Sequence, residues 1–106
     1  MATSVTPAWL GEAILAVLDR LDDQLFGLMR VDQPESTERL DRIAALYERQ
    51  ARCWKVLAAH VGERVVWIAM FEARACAESY AEKYRGFAES HREFEARKAK
   101  RASGVA

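Results

Sequence analysis

Val65–Phe94, VVWIAMFEARACAESYAEKYRGFAESHREF, decides the fold. Val66, Met70, Ala73, Ala77, Tyr80, Tyr84, Phe87, His91 and Phe94 recur at alternating steps of three and four, the period of a helix that turns one stripe toward a neighbour. Val65, Trp67, Ile68 and Phe71 lie off that stripe, so the first half of the segment is apolar nearly all round and predicts cover on two sides. From Ser79 onward only the stripe remains.

The preceding segment repeats the pattern. Leu40, Ile43, Tyr47, Gln50, Trp54, Leu57 and Val61 form a seam, and Ala44, Ala51 and Ala58 beside it permit close approach. In an antiparallel helical pair the two seams interleave. Val61 with Val66, Leu57 with Met70, Trp54 with Ala73, Tyr47 with Tyr80, Ile43 with Tyr84 and Leu40 with Phe87 are each symmetric about Glu63 and Arg64. That leaves GERV as the connection, a usual length for a helical hairpin, with Gly62 suited to ending the first arm. The competing arrangement is one continuous helix of roughly 100 Å that pairs with a second chain, related to the hairpin by domain swapping.

Towards the N-terminus, Thr6 and Pro7 suit a cap and first position for a helix through AWLGEAILAVLDRLDDQLFGLMR, ending near Arg30 or Val31. Leu10, Ile14, Val17, Leu18, Leu21, Leu25 and Leu28 form its stripe, and Leu15, Phe26 and Met29 widen it beyond what one neighbour covers. VDQPES breaks the chain. Asp32 with Glu35 resembles a capping box around Pro34, and Ser36 or Thr37 is the alternative start. The fold expected is all-α, a single domain of three helices. The second and third form a long antiparallel hairpin, the first packs on its hinge half against Trp67, Ile68 and Phe71, and two copies form a homodimer. Residues 1–6 and 102–106 are expected to be disordered.

Composition narrows the function classes. Half of the 106 residues are hydrophobic (51%) and 30% are charged, a chain that folds. Sixteen basic residues balance sixteen acidic ones, which argues against coating nucleic acid or an anionic membrane. Cys53 and Cys76 have no CxxC or histidine at ligand spacing and read as reduced and buried. MATSVTPAW has no basic leader and AILAVL is too short to span a bilayer, so a cytoplasmic protein with no membrane partner is expected.

No catalytic set is legible. His60 with Glu63, and His91 between Glu89 and Glu93, lack the repeated Glu-x-x-His of helical di-metal sites, so neither metal nor cofactor is expected. Two windows touch a helix-turn-helix pattern. Around Ala58, Gly62 and Ile68 the reading helix would be VVWIAMF, with little to hydrogen-bond a base edge. In 79–101, Ser79 with Glu82 and Ser90 with Glu93 are two capping boxes, and a break near Gly86 would free a basic helix whose Arg92, Arg97, Lys98, Lys100 and Arg101 could contact nucleic acid. The stretch VLDRLDDQLFGLM resembles the opening helix of helical chorismate mutases, small intertwined dimers. That family carries an arginine where Leu15 stands and basic residues where VDQP stands, so the resemblance extends to architecture and not to activity. The third helix outgrows its partner, and Trp67, Ile68, Phe71, Tyr84, Phe87, His91 and Phe94 are the residues expected at a dimer or protein-partner interface. A non-catalytic interaction protein, an adaptor or regulator, is the function expected; a DNA-binding regulator using 79–101 is the alternative.

Overall fold

The computed structural model describes residues 8–30, 32, 34–60 and 64–104. Three helices account for nearly all of them: α1 Ala8–Leu28, α2 Thr37–Ala59 and α3 Arg64–Ala102. Thr6, Pro7, Val61, Gly62 and Glu63 lie outside the described residues. α1 stops slightly before the expected end, where Met29 N–H still donates to Leu25 O at 2.9 Å. Ser36, not Asp32, caps α2: its extended backbone leaves Oγ free to accept from Arg39 N–H at 3.1 Å, satisfying a donor that the first turn cannot pair. Asp32 instead pairs with Arg30. α3 ends on Gly104, whose φ of 73° is the left-handed conformation that a side chain would strain.

α2 and α3 fold back on one another as the seams predict. The Tyr47 ring stacks on Tyr80 at 5.1 Å and on Tyr84 at 5.9 Å, and Thr37 Oγ1 hydrogen-bonds His91 Nδ1 at 2.9 Å at the far end. Outside this seam, Arg85 donates to Asp41 at 3.0 Å and to Glu48 at 2.6 Å, and Arg92 donates to the second oxygen of Asp41 at 2.9 Å. These exposed pairs fix register more than they stabilise, each being worth under about 1 kcal/mol.

The buried face of α3 overlaps the expected stripe at Ala77, with Met70, Ala73, Tyr84 and His91 half-buried, but shifts one residue round the helix at Tyr80 and Phe87. Ala77, Ala81 and Ala88 are buried against Leu40, Ile43, Ala44, Ala51 and Leu57 of α2, while Val66, Tyr80 and Phe87 stay exposed. Alanines let the two helices approach closely, and at that separation the neighbouring rings are turned to the flank.

α1 packs antiparallel on α2 alone, through Leu18, Leu21 and Leu25. Arg39 Nε donates to Leu28 O, Gln50 donates to Asp22 and Tyr47 donates to Met29 Sδ along this contact. It runs along most of α2, from Arg39 near the open end of the hairpin to Cys53 and Val56 beside Ile14 and Val17, and not against Trp67, Ile68 and Phe71. Trp67 and Phe71 share a helical face with Arg74 and Glu78, which with Lys55 and Arg85 line the opposite side of the hairpin from α1. Those three residues are exposed, and α3 is not held between two helices as its all-round apolar start implies. Beyond Arg92, which still pairs with Asp41, α3 extends past the end of α2, giving a body 74 Å long and about 20 Å across.

Burial and the surrounding acidic groups raise the ionisation of Tyr47 above the ordinary phenol range, burial being the larger cause. A group raised in the folded state contributes stability that is whole below its unfolded value, about pH 10, and is lost as pH climbs through the folded value. Urea melts should therefore show stability falling above pH 10, and Tyr47→Phe should reduce that fall.

Candidate interaction surface

Because α1 and α3 both lean on α2 without a close approach of their backbones, a groove of about 420 Å³ opens between them. Tyr47 and Gln50 of α2 form its floor; Leu25, Phe26 and Met29 form one wall; Ala73, Cys76, Ala77 and Tyr80 form the other. Phe26 is 79% exposed, the least covered large apolar side chain described. The groove does not end with α1. Phe87 and Phe94 follow Tyr80 at seven-residue steps, so one aromatic line runs from the groove onto the overhang of α3. Lys83 lies across this line, its ammonium 5.9 Å from the Tyr80 ring centroid and 5.7 Å from that of Phe87, a cation–π contact that leaves the charge in water.

Cys76 is exposed in this groove, contrary to the buried setting expected of it, because its position falls on the flank of α3 and not on the alanine seam. Cys53 is half-buried. Sequence reading missed the groove itself, although its signal was present in Phe26 and Met29, the residues that made the stripe of α1 too wide for one neighbour.

Of the residues expected at an interface, Phe87 and Phe94 are on the aromatic line. Tyr84 is half-buried beneath it and meets Phe87 edge to face at 5.5 Å. His91 is engaged by Thr37, with Glu95 3.9 Å from its Nε2. Trp67, Ile68 and Phe71 make a separate tract near the hinge, where the Trp67 and Phe71 rings stack at 5.4 Å and remain 43% and 49% exposed. The sequence-predicted interface residues thus divide between two faces. On the side of the hairpin away from α1 the groove is polar: Arg74 pairs with Glu78 at 2.6 Å, and Arg85 with Glu48, over a floor of Ala51 and Ala81.

The basic residues also divide. Arg92 is tied to Asp41. Among the described residues Arg97, Lys98, Lys100 and Arg101 have no anionic partner, and Asp19 and Asp23 of α1 have no cationic one. α3 is helical without interruption from Arg64 to Ala102, through Gly86 and both capping boxes, so residues 79–101 form no helix-turn-helix. Serine and glutamate three apart do not start a helix where the preceding turn already supplies the backbone acceptors. Among the described residues no three His, Cys, Asp or Glu side chains converge as metal ligands, and no helix is long and apolar enough to cross a membrane.

Comparison with protein-family models, curated proteins and solved structures finds no match to this chain.

Proposed function

We propose that this chain is a non-catalytic interaction protein, an adaptor or regulator that works by associating with itself and with a macromolecular partner. The observation that supports this most is the continuous aromatic line from Phe26 and Tyr80 to Phe94, which the described helices of the chain cover only in part. Single apolar residues on a surface need no explanation, but rings aligned along a groove and its extension mark a surface that is covered in use. The Trp67–Phe71 tract, on the other side of the hairpin, is then the place for a heterologous protein partner.

Light scattering on the full chain at micromolar concentration tests this reading. An assembly larger than one chain is expected, and a strictly monomeric particle would count against it. Nucleic-acid binding through the last turns of α3 is the weaker reading: it keeps the unpaired Arg97, Lys98, Lys100 and Arg101 but loses the motif that would present them.

A further inference from the structure

The occupant of the groove can be named from three features of the molecule. The first is spacing. Tyr80, Phe87 and Phe94 are equally separated, so a second copy of α3 laid antiparallel, with Phe87 on a two-fold axis, brings Phe94 of each copy to the level of the partner's Tyr80. Phe26 stands at that level in the groove, and the overhang of α3 is free of α2 and α1 and so able to enter it.

The second feature is charge. The same rotation carries Arg97, Lys98 and Arg101, which lack anions in their own chain, over the partner's Asp22 and Glu72 and near the partner's Asp19. A parallel pairing would instead stack the basic ends on one another. The third is area. At about 200 Å² per aromatic side chain, the exposed fractions of Phe26, Tyr80, Phe87 and Phe94 (79%, 42%, 45% and 54%) leave on the order of 450 Å² per copy from four rings alone. Doubled, that is about 900 Å² from the rings alone, most of the roughly 1,200 Å² at which stable interfaces begin, before the residues between the rings are added.

The geometry points to an isologous antiparallel dimer in which the overhang of α3 from each copy fills the α1–α3 groove of the other, Phe94 seating between the partner's Phe26 and the partner's Tyr80. This rests on the self-association reading and specifies its partner, orientation and register.

Cys76 makes the register testable. Lys98 is as far beyond Phe87 as Cys76 is before it, so the dimer brings Lys98 opposite the partner's Cys76. Within one helix the two positions are about 33 Å apart, and the Cys76 residues of the two copies are separated by about the same distance, far beyond disulfide reach. The full chain carrying Lys98→Cys, at an exposed site that should not disturb folding, is oxidised with diamide and mapped by peptide mass spectrometry, and its mass before oxidation is read by light scattering. The expected result is a covalent dimer joined 76 to 98 in at least tenfold excess over other linkages, absent from the native sequence and lost on adding Cys76→Ser. A non-covalent dimer that forms no 76–98 bridge, or that links 98 to 98 or 76 to 76, overturns this arrangement and leaves self-association standing. A monomer overturns both.

Discussion

Replacing Ile43 with alanine is expected to lower the free energy of unfolding by about 3 kcal/mol, the cost of a large-to-small change at a closed site. Ile43 is 1% exposed and lies on α2, the one helix packed on both sides. Neither neighbour can collapse into the gap without leaving its other contacts, because Arg85 and Thr37 hold α3 in register while Arg39 and Gln50 tie α1. A domain of this size has about 5–15 kcal/mol in total, so the loss is a large share of it. Urea denaturation followed by circular dichroism checks the value, with all chains at one concentration because self-association adds to apparent stability. Phe26→Ala is the contrast: it removes a side chain of similar bulk from an exposed position, and its intrinsic cost should stay within about 1 kcal/mol. Equal losses at the two sites would mean that the core is wrongly assigned.

The second large effect is on assembly. Phe94→Asp alters an exposed ring beyond the last described pairing of α3 with α2, so helix content and folding should be nearly unchanged. In the dimer the same side chain seats between Phe26 and Tyr80, where a carboxylate loses its hydration without an apolar contact in return. Two-fold symmetry places the change at two sites. At about 2 kcal/mol each, dissociation strengthens by roughly 100- to 1,000-fold. Wild-type helicity with lost assembly is the expected signature; a misfolded variant would instead show that the overhang supports the hairpin itself.

How far the sequence carried this reading follows from what helical periodicity encodes. The seams of α2 and α3, centred on Glu63 and Arg64, identified the hairpin and paired Tyr47 with Tyr80 because the three-and-four spacing fixes both the face and the layer. The same spacing could not distinguish Tyr80 and Phe87 from Ala81 and Ala88, one residue round the helix. A hydrophobic count favours the rings, whereas close approach favours the alanines. Trp67 and Phe71 misled for a related reason: an all-round apolar segment implies burial, but within one chain α1 follows α2 and leaves them uncovered. The capping boxes at Ser79 and Ser90 are local signals that a continuous helix overrides. The groove was the least legible feature, since it exists only because α1 and α3 share α2 without a close backbone approach, a relation between elements that no single stretch encodes.

Self-association through the groove and overhang is the central claim, and sedimentation equilibrium over a dilution series of the full chain tests it most directly. The native chain should approach twice its 12.0 kDa at micromolar concentration and fall toward 12.0 kDa on dilution, while Phe94→Asp remains at 12.0 kDa throughout. A native chain that stays at 12.0 kDa at the highest concentration, or a Phe94→Asp chain that assembles as the native one does, would contradict it.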